Sequence, residues 1–299
     1  MTDYGHDLWF GSFVTPAARP PQAPVELALA SERAGLDLVS FQDHPYQSAF
    51  QDTWTLMSYV AARTERIRIS GNVLSLPLRS PAVLARAAAS LDRLTGGRVD
   101  LGIGAGAFWD GIAAMGGRRL TPGQAVQALE EAVQVIRGLW ATDEPGPLKV
   151  DGEYYSVTGA KRGPAPAHRI PIHIGAYKPR MLRLTGRIAD GWLPSLGYLP
   201  DGPASLDAMN EQIDEAASAA GREPAAVSRL LNLSGRFTTG GGGLLQGTPG
   251  DWAEQLADLA LQYGVSGFIL ASDEPAELDL FGHEVAPRTR ELVQSERTA

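Results

Sequence analysis

Apolar and polar positions along the chain alternate between two periods. Leu8 to Val14 is a short aromatic and apolar run bounded by Gly and Pro, as expected of a strand. Four prolines between residues 16 and 24 forbid regular structure until VELALASERAG, whose apolar spacing predicts a helix ending at Gly35. Leu36 to Gln42 predicts a second strand, and TWTLMSYVAARTE a helix with Thr53 as its cap. Ile67 to Val73 reads as a third strand. Ser80-Pro81 opens an Ala-rich helix closed by Gly96-Gly97, and Val99 to Gly104 reads as a fourth strand.

The alternation loosens and then resumes. Thr121-Pro122 starts an amphipathic helix through Trp140. Residues 142–168 are polar and rich in Pro and Gly, with a possible hairpin strand at Tyr154 to Val157. They are too long for an ordinary connection and are expected to form an insertion or lid. Strands follow at Ile170 to Ile174, Gly191 to Leu193, Val227 to Leu233 and Val265 to Leu270. Helices are expected over Pro179 to Ile188, near 203–220, from Thr248-Pro249 to Tyr263, and over about 275–295. Eight strand-then-helix alternations without a linker-like break predict one (β/α)8 barrel over residues 1–299. A doubly wound open sheet is the rival, because sequence does not display closure.

Composition narrows the function. Hydrophobic residues make up 44% of 299, enough for a sizeable core. The net charge of −8 disfavours a nucleic-acid backbone as partner, and there is no cysteine to supply a disulfide, a thiol nucleophile or a thiolate metal ligand. Neither a secretory leader nor an apolar run of membrane-spanning length is visible, so a soluble, cytoplasmic protein is expected. The five histidines lack HxxxH or HExxH spacing, no GxSxG elbow occurs, and paired carboxylates are missing from the strand ends. A site so poor in charged catalytic groups fits chemistry carried by a cofactor.

Barrel enzymes draw their chemistry from the loops after the strands. That rule nominates Asp43 and His44 after the second strand. His44 suits proton transfer at neutral pH, with Asp43 placed to orient it, although adjacent side chains diverge and a purely structural loop histidine is the alternative. Asn72 to Pro77 follow the third strand. Gly104, Ala105 and Gly106 lie in GIGAGA after the fourth, a sequence that formally matches a dinucleotide pattern. The glycines alternatively admit a flat ring close to the backbone, or simply pack a tight turn. Gly175, Ala176, Tyr177 and Lys178 run into a helix N-terminus suited to an anion, and the glycine tract at 240–243 is a second phosphate candidate. Trp9, Tyr46, Phe108, Trp109 and Tyr198 are candidate walls of an apolar substrate pocket.

Several stretches together resemble the luciferase-like flavin and deazaflavin oxidoreductases over nearly the whole chain. They are FQDHPYQ, the block from TWTLMSYVAARTERIRISGNVLSLPLRSPAVLARAAASLDRLTGGRVDLGIGAGAFWD, IHIGAYKPRMLRLTGRIADGWLPS, and GTPGDWAEQLADLALQYGVSGFIL. The resemblance implies a (β/α)8 barrel with an insertion, binding FMN or the deazaflavin F420 at its C-terminal face. It implies a non-prolyl cis peptide after the third strand, here matched to Val73–Leu74, supporting the ring with Asn72. It carries the Asp-His pair of F420-dependent members onto Asp43 and His44, and backbone binding of the cofactor phosphate onto Gly175 and Ala176. F420-dependent sugar-phosphate dehydrogenases carry a Glu where this chain has Ala107, which points to a more apolar small-molecule substrate. Asp-His rather than Glu-His favours F420 over FMN. An FMN-dependent monooxygenase fed by a separate reductase and a non-catalytic flavin-binding barrel are the alternatives, and a homo-oligomer is expected.

Overall fold

In the computed structural model, which describes residues 2–299, the eight expected strands close on themselves. They are β1 (Trp9–Val14), β2 (Leu38–Phe41), β3 (Arg68–Gly71), β4 (Val99–Gly104), β5 (Ile172–Ile174), β6 (Gly191–Trp192), β7 (Ser228–Leu233) and β8 (Gly267–Ala271). Each pairs in parallel with the next, and β1 meets β8 in the register Trp9↔Gly267 to Phe13↔Ala271. Closure removes both sheet edges and excludes the open-sheet alternative. The strands are buried along nearly their whole length, as parallel strands covered by helices must be.

Local chemistry sets the helix boundaries. The helix Pro122–Trp140 begins at a capping box in which the Thr121 side chain and Gln124 satisfy each other's backbone N–H groups. Thr248 and Asp251 do the same for Pro249–Tyr263, which ends on left-handed Gly264. Thr53 is not a cap: Asp52 fills that role, accepting from Thr55 N, and Thr53 is the first helical residue of Thr53–Ala61. A carboxylate caps as well as a hydroxyl, and two candidates side by side leave a one-residue ambiguity. The C-terminal helix is interrupted, running Pro275–Leu280, a π turn at Phe281–Val285, then Ala286–Thr298.

The insertion is not a lid. Its strands are Leu148–Val150 and Val157–Ala160, an antiparallel hairpin rather than a strand at Tyr154 to Val157. It is strapped to the outside of the barrel. Glu131, from the helix Pro122–Trp140, accepts the backbone N–H groups of Glu153, Tyr154 and Tyr155, which hold its carboxyl below the usual range against the opposing effect of burial. At its far end Asp92 accepts from Ala167 and His168 N–H.

Inside the barrel, the N-terminal end carries a polar layer. Arg68 from β3 bonds Asp100 of β4, which is fully buried, and His173 Nε2 of β5 lies 3.5 Å from the same carboxylate. Trp9 closes this layer, its ring edge-on to His173 at 6.0 Å and beneath the Arg68 guanidinium at 5.7 Å. Trp9 therefore sits at the mouth opposite the expected site and lines no substrate pocket there.

Candidate functional site

At the C-terminal end of the strands is a cavity of about 750 Å³. Its size is that of a cofactor or drug-sized ligand pocket. The side chains and backbone nominated after β2 to β6 converge on it: Asp43, His44 and Tyr46; Asn72, Val73 and Leu74; Gly104, Ala105, Gly106 and Phe108; Gly175, Ala176, Tyr177 and Lys178; and Tyr198. Trp109 does not line it. This residue opens the short helix Trp109–Ala114 and packs with the cluster of Leu120, Ala125 and Ala128, behind Gly106. The Gly240–Gly243 tract lines none of it either, although Leu233 and Ser234 at the end of β7 do.

The floor of the cavity is a chain of amides and hydroxyls. Asn72 Nδ2 donates to Asn232 Oδ1 at 2.7 Å, and Asn232 Nδ2 donates back to Asn72 Oδ1 at 3.0 Å. Ser40 Oγ accepts from Asn72 and Ser195 Oγ from Asn232. This pair bridges β3 and β7 across the barrel and leaves both buried carboxamides satisfied. Tyr177 Oη accepts from Ser195 N at 2.8 Å, which ties the β5 loop to the β6 loop.

Above the floor, the backbone bulges after β3, and Leu74–Ser75 pairs with Ile103–Gly104 of β4. The non-prolyl cis bond is Asn72–Val73, one residue before the Val73–Leu74 bond expected from the sequence. The Val73 side chain fills the space beside β4: a Cβ placed on Gly104 would lie 2.7 Å from Val73 Cγ2. Gly104 is thus small for the sake of Val73, and both line the cavity.

Asp43 is committed to a neighbour that the sequence did not nominate. Its two oxygens take a bidentate pair of bonds from Arg79 at 2.7 Å each, and Oδ2 also accepts from Ser75 N at 2.9 Å. Arg79 reaches on to Asp52 at 2.8 Å. Burial alone would lower the guanidinium pKa, but the two carboxylates outweigh it and raise it. Asp43 makes no hydrogen bond to His44. It anchors the β2 loop to the β3 loop instead of orienting the imidazole.

His44 has a different partner. Its Nδ1 lies 2.6 Å from Tyr46 Oη, and Phe108 stands edge-on to the ring at 5.2 Å. Burial among these rings holds the His44 pKa below its ordinary value, with the Asp43 charge opposing the shift. The imidazole is accordingly neutral at pH 7. On the far rim, Tyr177 and Tyr198 meet edge-to-face at 5.9 Å. Lys178 is exposed at the N-cap of the helix Pro179–Ile188, where first-turn N–H groups lack helical acceptors and suit an anionic group.

The strand-end rule does not reach every participant. Asn232 lies inside β7, whereas the strand-end rule looks beyond the strand. Arg79 lies just past the nominated Asn72 to Pro77 loop, and only the fold brings it to Asp43. Among the described residues there is no cluster of three or more His, Cys, Asp or Glu able to hold a metal, and no helix long and apolar enough to cross a membrane.

Comparison with known proteins agrees with this geometry. Residues 8–235 match the family described as luciferase-like monooxygenase. An F420-dependent glucose-6-phosphate dehydrogenase of Nocardia farcinica is 31% identical over 242 residues, covering 78% of this chain and 70% of that protein. Another of the same description, from Gordonia bronchialis, is 32% identical over 222 residues, covering 71% of this chain and 64% of its own length. Among solved structures, an F420-dependent secondary alcohol dehydrogenase superposes with a TM-score of 0.83 at 19% identity, covering 95% of this chain and 99% of that one. The long-chain alkane monooxygenase LadA gives 0.81 at 15% identity, covering 97% and 92%. At those identities the superpositions speak for the fold alone. The match over residues 8–235 places the (β/α)8 chain in its family: it belongs to the luciferase-like monooxygenases.

Proposed function

We propose that this protein is an F420-dependent oxidoreductase that passes a hydride between the deazaflavin and an apolar organic small molecule, with His44 handling the accompanying proton. The observation that carries the reading is a neutral His44 on the wall of a large, mostly apolar cavity, immediately after Asp43, in a chain whose relatives at 31–32% identity are F420-dependent dehydrogenases.

The residues present fit a flat, anionic cofactor. Val73 offers an apolar ledge, the Asn72–Asn232 pair fixes the floor beneath it, and the backbone from Gly175 to Lys178 presents a helix start to a phosphate. When bound, the deazaflavin supplies hydride chemistry that no side chain can perform. The protein's part is to orient the ring, exclude water and hold a proton at His44. Asp43 and Arg79 serve by fixing the loops. Tyr46, Phe108 and Tyr198 wall the substrate side, and Ala107 leaves there the neutral surface that favours an apolar substrate over a sugar phosphate.

An FMN-dependent monooxygenase supplied by a separate flavin reductase is the second reading, favoured by the likeness in fold to an alkane monooxygenase. A homo-oligomer in the cytoplasm completes the proposal. Titration with oxidised F420 and with FMN, read by fluorescence and absorbance, separates the readings. F420 is expected to bind at micromolar concentration or tighter; binding of FMN alone favours the second reading, and binding of neither favours a non-catalytic barrel. His44→Ala should keep F420 affinity and lose turnover, and unchanged turnover would remove His44 from the proposal.

A further inference from the structure

The 2.6 Å contact between Tyr46 Oη and His44 Nδ1 can hold its proton on either side. Neither side chain has another hydrogen bond among the described residues. Acid and base strengths decide the matter. A phenol is much the stronger acid compared with a neutral imidazole N–H, and an imidazole nitrogen is much the stronger base compared with a phenol oxygen. The bond is therefore O–H···N, with tyrosine donating. Burial, followed by the Asp43 charge, raises the Tyr46 pKa above its ordinary value, so the phenol keeps its proton at working pH. Burial keeps His44 neutral. A neutral ring accepting at Nδ1 must carry its hydrogen on Nε2.

Tyr46 is also held in place. A Cβ on Gly111, in the short helix Trp109–Ala114, would lie 2.7 Å from Tyr46 Cγ and 2.8 Å from Cδ2. These atoms are near the root of the side chain, so the ring could not yield by swinging its tip. Phe108 flanks it, ring centroids 6.0 Å apart and planes at 50°. The hydroxyl thus has one seat, and that seat requires glycine at 111.

We propose that Tyr46 is a positioning residue that fixes His44 in the Nε2–H tautomer, and that Gly111 exists to seat it. The consequence for chemistry rests on the proposed F420 function. In the resting site His44 offers the cavity a hydrogen-bond donor, which suits a substrate oxygen carrying lone pairs, so carbonyl compounds are the class favoured. When a carbonyl carbon receives a hydride from the reduced deazaflavin, its π pair moves to oxygen and the Nε2 proton joins that oxygen. The Tyr46 proton passes to Nδ1, so the imidazole stays neutral and the phenol is left ionised; a solvent proton taken up at Nε2, with the Nδ1 proton returning to Tyr46, restores the resting pair. The carbonyl is reduced to an alcohol and the deazaflavin is oxidised.

The test is two-bond 15N–1H correlation on protein carrying 15N-labelled histidine, with His44 assigned from its loss in His44→Gln. The unaltered protein should show His44 protonated at Nε2 and bare at Nδ1. Tyr46→Phe should convert it to a mixture of tautomers, and Gly111→Ala, which keeps the hydroxyl but shifts its seat, should move it in the same direction. A proton on Nδ1 in the unaltered protein overturns the proposal, as does a tautomer indifferent to Tyr46→Phe. Should Tyr46→Phe misfold, the unaltered spectrum and Gly111→Ala decide. None of these spectra needs cofactor or substrate, so failure to bind F420 would sink the proposed function and leave the tautomer result standing. With F420 and a reducible carbonyl compound, Tyr46→Phe should lower kcat by about tenfold, a part of what a general acid supplies, with F420 affinity unchanged. An unchanged kcat beside a shifted tautomer would overturn the link to chemistry.

Discussion

Replacing Arg79 by Met removes the guanidinium and keeps most of the side-chain volume. Asp43, whose side chain is 1% exposed beside Arg79, is then left with Ser75 N–H as its remaining hydrogen-bond donor. Stripping the partner from a buried ion pair costs about 3–5 kcal/mol, because the remaining charge is desolvated and uncompensated. Arg79 itself is 16% exposed, so water can enter where the guanidinium stood, and the lower end, about 3 kcal/mol, is expected. The second carboxylate, Asp52, is 46% exposed and adds little, since its cap on Thr55 N survives. For a chain of this length about 3 kcal/mol corresponds to a fall of about 6 °C in Tm. Urea unfolding followed by tryptophan fluorescence measures the free energy, and circular dichroism the melting temperature. Arg79→Met with Asp43→Leu should recover most of the loss, because a buried pair replaced by apolar groups is close to neutral. Arg79→Lys should fall between, keeping charge but not the fork. A loss below about 1 kcal/mol for Arg79→Met would show the pair to behave as a solvated surface bridge, and the anchoring role of Asp43 would be refuted.

Other outcomes follow from the same site and from the layer beneath it. Because burial lowers the His44 pKa from 6.5, kcat/KM in the alcohol-oxidising direction, where His44 must accept the proton, should be flat at neutral pH and fall only as pH drops through that lower value; a midpoint above 6.5 would contradict it. The groups facing the ring are Asp43, already bound by Arg79, the Tyr46 hydroxyl, Phe50 and Phe108, so no free carboxylate is available to reverse the shift. Asn232→Ala strands the Asn72 amide and should cost about 1–3 kcal/mol, while adding Asn72→Ala should cost less than the sum, read from a double-mutant cycle. At the lower mouth, burial raises the Asp100 pKa but His173 and Arg68 outweigh it, leaving it below 3.8. Its contribution is therefore present above pH 3.8 and lost as pH falls through the lower folded value. The stability gap between the protein and Asp100→Asn should shrink only in that acid range, and a gap closing at pH 5–6 would refute the assignment.

How much of this was legible in the sequence depended on the range of the interaction. Thr121-Pro122 and Thr248-Pro249 act within one helical turn, and both helices begin where those residues placed them. Val99–Gly104 likewise has both bounds that the sequence predicts, since Gly96-Gly97 close the helix before it and a glycine ends it. The hairpin was displaced because its pairing depends on Glu131 of another element, and the helix Trp109–Ala114 was hidden by the glycine that seats Tyr46. The strand-end rule gathered most of the cavity wall. It failed for Trp9, which begins its strand, and for Trp109, which packs with a separate apolar cluster. Asp43 and His44 adjoin in sequence, which suggests a couple but, since adjacent side chains diverge, does not establish one. Their real partners, Arg79 and Tyr46, follow from side-chain direction, which adjacency cannot supply.

The outer strap carries a different lesson. One carboxylate, Glu131, receives three consecutive backbone N–H groups of the hairpin turn, and no residue of that segment reaches the cavity. A lineage could therefore lengthen, shorten or exchange the strap without disturbing the chemistry inside. Glu131 would be the trace left behind, a half-satisfied acid on a packed helix face with only the Gln127 amide still donating to it.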